Sequence, residues 1–142
     1  MEIAEVEELC VSNFDESISR PLIWDGFANC HTRIHGNGFI GFYWIGGEFM
    51  TSNPEPRSAM LLVRVPSNYS ITAVQQATVD WLKRNENGDS MCDTYFLHEV
   101  EPDDPDYALF CEIEAAIQEE FSLHDDGTRR GYAIVRIDNA SA

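Results

Sequence analysis

Positive charge is the property that this sequence has least of. Nine Lys and Arg residues, of which Lys83 is the only lysine, face 25 Asp and Glu, so the formal net charge is -16 and the sequence pI is near 4.3. The phosphates of nucleic acids repel such a chain, and we expect no direct binding of DNA or RNA. Basic protein surfaces attract it instead and steer its association with them.

Long apolar runs and paired cysteines are missing as well. No stretch approaches the roughly 18 apolar residues of a membrane-spanning helix. The four cysteines, Cys10, Cys30, Cys92 and Cys111, form no CxxC pair. The first residues, MEIAEVEELC, lack the basic and apolar regions of a secretory signal. These features predict a cytoplasmic protein that has reduced thiols and does not enter the membrane.

Motifs for catalysis and metal binding are scarce. No GxSxG elbow occurs, and no base can be assigned to a Ser or Cys nucleophile. Cys30, His31 and His35 lie close together, but a structural zinc site needs four ligands at a recognisable spacing. We therefore expect no enzyme activity, catalytic residue, metal or cofactor. One alternative stays open, a small enzyme that acts on a nucleotide or modifies a defence protein with His31 and His35 in its site.

Enough apolar residues are present for a folded globule. Hydrophobic residues make up 44% of the 142 positions and aromatic residues 11%, which predicts one domain over residues 1–142. The stretch from Ile34 to Thr51 contains two β-prone runs separated by Gly46-Gly47, and glycine pairs are typical of two-residue hairpin turns. This stretch therefore predicts a hairpin around which the remaining elements are arranged.

The remaining patterns predict alternating helices and strands. Residues 2–10 have helical spacing, whereas Pro21 to Trp24 is expected to be extended and residues 25–33 irregular or the start of a strand. The later predictions are a central strand at 58–65, a helix at 71–84 ended by Asn87-Gly88, a strand at 93–100, a helix from Asp104 to about Phe121 and a strand at 131–138. Together they predict an α+β fold, a mostly antiparallel sheet of about four to five strands with helices packed on one face.

Two helices are expected to bury apolar stripes. In the helix at 71–84 the stripe consists of Ile71, Val74, Ala77, Trp81 and Leu82. In the helix that ends near Phe121 it consists of Phe110, Ile113, Ile117 and Phe121.

Negative charge is concentrated late in the chain. Residues 85–128 hold fourteen Asp and Glu and no Lys or Arg, whereas residues 26–79 hold two carboxylates and three arginines. Carboxylates on a folded scaffold could imitate the phosphates of DNA, or they could simply keep the protein soluble. The predicted partner-binding residues are Glu99, Glu101, Asp103, Asp104, Asp106, Glu112, Glu119 and Glu120.

The predicted hairpin also carries a family resemblance. Gly38-Phe39, Phe42-Tyr43, Gly46-Gly47 and Phe49-Met50 resemble the GF, FY, GG, FM pattern of the ArdB/KlcA antirestriction family, and the segment from Ala133 to Asp138 is similar to its C-terminal end. The resemblance implies a plasmid or phage protein that protects incoming DNA from type I restriction. It implies no active-site residue, and that family is not established as a simple DNA mimic.

These observations predict an acidic anti-defence inhibitor from a phage or plasmid. It would block a host DNA-targeting complex, either a restriction enzyme or a CRISPR effector, through the basic surface with which that complex holds DNA. An immunity protein for a basic toxin follows the same logic with a different target. The sequence leaves the oligomeric state open.

Overall fold

One mixed sheet organises the part of the chain that the computed structural model describes, residues 1–84, 91–124 and 127–138. The strand order is β3-β2-β1-β4, and the bounds are Phe42–Gly46 for β1, Ala59–Val65 for β2, Cys92–His98 for β3 and Ala133–Arg136 for β4. β1 runs antiparallel to both β2 and β4, whereas β2 and β3 are parallel. The α+β class, the mostly antiparallel sheet and the central position of β2 are thus confirmed.

In the described part of the chain, four α-helices surround the sheet. Their bounds are Ile3–Glu7 for α1, Ser19–Gly36 for α2, Ala73–Arg84 for α3 and Tyr107–Ser122 for α4. A π-helical turn, Glu8–Ser12, continues α1, and a 3-10 turn, Glu48–Met50, follows β1. α3 lies in the crossover that parallel neighbours such as β2 and β3 need. Among these helices none is long and apolar enough to cross a membrane.

The helices lie on both faces of the sheet, so the prediction of helices on one face is wrong. Side chains alternate along a strand. Tyr43 and Ile45 therefore enter a larger core with residues of α1, α2 and α3, whereas Trp44 enters a smaller core with Phe110 and Phe121 of α4. The middle of strand β2, from Met60 to Val63, is apolar on both sides, and a sheet of this kind needs cover on both faces.

Helix α2 replaces the extended and irregular segment predicted for residues 21–33. Ile23, Phe27, Cys30 and Ile34 are buried and follow one another at intervals of four, three and four residues, which is the helical period. Pro21 is the third residue of this helix, where proline is tolerated because its missing N–H would have no partner within the helix.

The hairpin predicted from Ile34 to Thr51 is also wrong. β1 pairs with β2, Phe42 opposite Arg64 and Gly46 opposite Met60, and the residues after Gly47 leave the sheet as the 3-10 turn. Gly47 has a positive φ of 81° and does turn the chain, but the chain does not return along β1. Phe49 is the reason, because its side chain is buried in the larger core.

Buried Arg20 fixes this connection between β1 and β2. Its guanidinium donates to the carbonyl oxygens of Cys10 at 2.8 Å and Phe49 at 2.7 Å, and to those of Thr51 at 2.8 Å and Asn53 at 2.6 Å. The ring of Phe14 lies 3.7 Å from the guanidinium carbon. One side chain of α2 therefore satisfies backbone carbonyls that no strand pairs.

The later elements occur where the sequence predicts them, but the predicted stripe of α3 is only partly right: Leu82 is buried and Ile71 and Trp81 pack against the larger core, whereas Val74 and Ala77 are exposed. Val74 is 70% exposed. The buried residues of α3 are Gln75, Thr78, Val79 and Leu82. Gln75 is buried because its side-chain amide donates to the carbonyl oxygen of Asn37 at 2.9 Å and to the hydroxyl of Tyr69 at 2.7 Å. The predicted stop at Asn87-Gly88 lies outside the described residues.

Candidate functional site

The eight carboxylates singled out by the sequence lie in two adjoining parts of the fold, the connection between β3 and α4 and helix α4 itself. Seven of them are exposed, and Glu99 is half-buried. Together they are called the acidic surface below; its members are Glu99, Glu101, Asp103, Asp104, Asp106, Glu112, Glu119 and Glu120.

The connection is anchored to the end of β2. The backbone N–H of Glu99 donates to the carbonyl oxygen of Val65 at 2.9 Å, and the Ser67 hydroxyl donates to the Glu101 carboxylate at 2.5 Å. The Asp104 carboxylate accepts the backbone N–H of Asp106 at 2.8 Å, which closes a local turn. Helix α4 begins just after this turn, so the carboxylates of the connection are held on ordered backbone.

Helix α4 carries the other three carboxylates. Its 16 residues extend the acidic surface by about 24 Å, given the rise of an α-helix. Glu112, Glu119 and Glu120 are exposed, and the helix contains no basic residue. Phe110 and Phe121 are buried as predicted, but Ile113 is 44% exposed, so the predicted buried stripe is wrong at this position.

Arg64 of β2 joins the connection to α4. Its Nε lies 3.0 Å from Glu99 Oε1, and its Nη1 lies 2.5 Å from Oε2 of Glu114. Burial acts to lower the pKa of Arg64, but hydrogen bonds to these two carboxylates outweigh burial and raise the pKa. Glu114 was missed in the sequence, where nothing distinguishes it from its acidic neighbours, because the contact with a distant strand is what sets it apart.

Negative charge is not confined to the acidic surface. Helix α1 packs through Val6 into the larger core, on the opposite side of the sheet from α4. Four exposed carboxylates lie on or beside α1, namely Glu2, Glu5, Glu7 and Glu8. The carboxylates are therefore distributed more evenly over the folded protein than along the chain, and each side of the sheet has its own acidic group.

A cleft of about 560 Å³ opens beside the C-terminal end of α4. Its lining residues are Met60, Ala116, Glu119, Glu120, Leu123, His124 and Arg130. The Arg130 guanidinium donates to the carbonyl oxygen of Glu120 at 2.9 Å and lies 3.3 Å from the sulfur of Met60. Burial and the nearby Glu120 carboxylate raise the pKa of Tyr95 to about 12, which keeps its phenol protonated. This end of the acidic surface thus combines carboxylates with a cation.

Gly46 allows α4 to approach β1 next to this cleft. A Cβ atom at this position would lie 2.7 Å from the ring of Phe121, which is fully buried. A side chain here would push α4 away from the sheet. The role of the Gly46-Gly47 pair is therefore close packing and a turn out of the sheet, rather than the hairpin turn predicted from the sequence.

His31 and His35, the residues of the alternative enzyme site, are neighbours on α2. Their ring centroids are 5.3 Å apart, and His31 also stacks on Phe27 at 6.1 Å. The Nδ1 atom of His31 lies 2.7 Å from the hydroxyl of Tyr43. Burial raises the pKa of Tyr43 well above its usual range, so the phenol stays protonated. This geometry supports a packing role for His31.

The four cysteines lie on different elements of the fold, and Cys30 directly precedes His31 on α2. Cys10, Cys30 and Cys92 are buried, Cys111 is half-buried, and no disulfide joins any of the four. Within the described residues, no group of three or more His, Cys, Asp or Glu side chains is arranged to hold a metal ion.

The fold and site define a class of protein, an α+β domain with a four-stranded mixed sheet and an acidic surface along its helix α4. A model of the DUF6932 family, described as a family of unknown function, matches residues 1–138, and the chain belongs to this family. Comparison with curated proteins found no match, and comparison with solved structures found none either. The resemblance to the ArdB/KlcA family stays a prediction.

Proposed function

We propose that the protein is an acidic inhibitor, encoded by a phage or plasmid, that binds the basic DNA-holding surface of a host restriction enzyme or CRISPR effector. The observation that carries this proposal is the acidic surface, in which seven carboxylates are exposed on ordered backbone and on one helix. Such a surface attracts a basic groove, speeds encounter with it and competes with DNA for it.

Order in the connection supports binding rather than simple solvation. Carboxylates on a disordered tail would lose conformational freedom when they bind, and this loss weakens binding. Here Glu101 is held by Ser67, and Asp104 is held by the backbone N–H of Asp106. The carboxylates therefore face a partner without first having to be ordered.

The proposal is tested by neutralising the connection. The variant Glu101→Gln/Asp103→Asn/Asp104→Asn/Asp106→Asn keeps the shapes of the side chains and removes four charges. A matched control, Glu2→Gln/Glu5→Gln/Glu7→Gln/Glu8→Gln, removes four charges from the opposite side of the sheet. Inhibition of DNA cleavage and binding affinity are measured with a type I restriction complex and with a CRISPR effector nuclease, at low and at moderate salt.

We expect the wild-type protein to inhibit one of these nucleases, with an affinity that falls steeply as salt rises. The connection variant should lose about tenfold or more in affinity, whereas the control should stay within about twofold, because the connection belongs to the proposed contact surface and the residues of the control do not. Equal inhibition by all three proteins, or an affinity that does not change with salt, would rule the proposal out.

The same surface would suit an immunity protein for a basic toxin. A basic nuclease toxin therefore belongs in the panel of targets. If the protein inhibits the toxin and neither of the other nucleases, the toxin is the target that the acidic surface binds.

A further inference from the structure

Helix α4 exposes two large apolar side chains, although it covers one face of the sheet. Leu109 is 56% exposed and Ile113 is 44% exposed. Together with exposed Ala116 they occupy positions i, i+4 and i+7, which share one side of an α-helix. Packing against the sheet uses Phe110 and Phe121, and the stripe lies beside that packed face, where its side chains are exposed.

Carboxylates border this apolar stripe. Glu112 precedes Ala116 by one helical turn, and Glu119 and Glu120 follow Ala116 by three and four residues, so all three lie next to the stripe on the helix surface. All three are exposed, and α4 has no Lys, Arg or His. The exposed side of α4 is thus an apolar stripe bordered by carboxylates of the helix, and Arg130 lies beside its C-terminal end.

We propose that this side of α4 is the docking site for a cationic amphipathic helix of the partner protein. Apolar residues of that helix, spaced three or four apart, would cover Leu109 and Ile113. Its Lys and Arg residues would pair with Glu112, Glu119 and Glu120. The inference rests on the proposed function, since these three carboxylates belong to the acidic surface, and it specifies which kind of partner element binds there.

Charge complementarity favours this occupant over two others. A second copy of the chain would bring the carboxylates of two α4 helices together, and like charges at an interface are unfavourable. An anionic membrane surface would repel the same carboxylates. A helix with both apolar and basic residues can cover the apolar stripe and pair with the carboxylates beside it at the same time.

The probe for this docking site is a synthetic helix of about 18 residues with leucines on one side and lysines on the other, since shorter peptides are marginal helices. Binding of the labelled peptide to the full chain is measured by fluorescence anisotropy. The test variant is Leu109→Gln/Ile113→Gln. The matched control, Leu22→Gln/Val74→Gln, changes two aliphatic residues that are 52% and 70% exposed on α2 and α3.

We expect the test variant to bind the peptide about tenfold or more weakly than the wild type, and the control to bind within about twofold of it, because apolar anchors carry much of the energy in such grooves. A third variant, Glu112→Gln/Glu119→Gln, should bind more weakly at low salt and show a smaller response to added salt. Equal binding by the test variant and the control would overturn the docking site.

Failure of this inference can be told apart from failure of the proposed function. Binding that depends on Glu112 and Glu119 but not on Leu109 and Ile113 would overturn the docking site and leave the charged contact in place. Sedimentation velocity tests whether a second copy of the chain occupies the stripe. A wild-type protein that is dimeric, with a test variant that is monomeric, would assign the stripe to a second copy and overturn the inference. Peptide binding lost in the test variant, together with unchanged nuclease inhibition, would support the docking site and separate it from the proposed target.

Discussion

The two faces of the sheet differ in size and in how an arginine is held. In the described residues, twenty buried side chains form the core under α1, α2 and α3, and five form the core under α4. Arg20 on the first side is fully buried and donates to backbone carbonyls, whereas Arg64 on the second side is held by two carboxylates near the surface.

The two faces therefore have different roles: one contributes most of the stability, and the other displays the acidic surface. Helix α2 sits deep in a large apolar core, and burial of that size dominates the free energy of folding. Helix α4 buries two phenylalanines and relies on Arg64 for a polar connection to the sheet. The side that contributes less to stability is therefore the one that presents the acidic surface.

The largest effect is expected from Arg20→Met. Four backbone carbonyls would lose a donor, two of them in buried and two in partly buried hydrogen bonds, and at about 1 kcal/mol for each the free energy of unfolding should fall by about 4 kcal/mol. Urea denaturation measures this change. Exposed Arg33, which lies over Trp81, provides the control Arg33→Met, for which we expect about 0.5 kcal/mol or less. A loss no larger for Arg20 than for Arg33 would remove the contrast between the two faces.

A smaller effect is expected from Arg64→Met. Its partners Glu99 and Glu114 keep 34% and 30% of their side-chain surface exposed, so solvent weakens the ion pairs and the loss should be about 1 kcal/mol. The gap between wild type and variant should shrink as salt is added, because the pairs are screened. Denaturation at low and at high salt tests this, and a gap that does not respond to salt would place Arg64 in the same class as Arg20.

The smallest effect is expected on the pH dependence of stability, through Glu55. Its carboxylate accepts hydrogen bonds from the backbone N–H groups of Ile18 at 2.8 Å and Ser19 at 3.0 Å, at the start of α2. These hydrogen bonds lower its pKa below the ordinary value of 4.5. A lowered carboxylate pKa stabilises the fold above about pH 4.5, and this contribution is lost as pH falls through the lowered pKa. Melting temperatures of Glu55→Gln and wild type should therefore differ at neutral pH and converge in acid.

Exposed Glu16 provides the control for this experiment. Glu16→Gln removes another exposed carboxylate just before α2 and should melt close to the wild type at neutral pH, because exposed substitutions without a structural contact change stability little. Parallel melting curves for Glu55→Gln and wild type down to pH 3 would show that the carboxylate makes no contribution through its charge.

Sequence patterns were informative where one local property decided the structure. The middle of β2 is apolar on both sides, which predicts a central strand, and α4 contributes the predicted Phe110 and Phe121 to the smaller core. The exposure of the residues of the acidic surface also follows from their residue types, because charged side chains seldom enter a core without partners. Ile113 shows the limit, since helical spacing places it on the edge of the stripe but does not determine how far the sheet reaches beneath it.

Partners distant in sequence could not be predicted in the same way. Glycines at 46 and 47 suggest a hairpin locally, yet Phe49 and the hydrogen bonds of Arg20 take the following residues out of the sheet. Glu114 and Arg64 are fifty positions apart, and their pairing depends on how α4 lies over β2.

By itself, the sequence determined the α+β class, most of the later elements and the excess of negative charge, because these depend on residue types and on their local period. Tertiary structure alone decided that helices cover both faces, which carboxylates are paired, and which apolar residues of α4 stay exposed. The physical reason is that burial and ion pairing depend on distances between elements, and those distances are set only when the helices pack on the sheet.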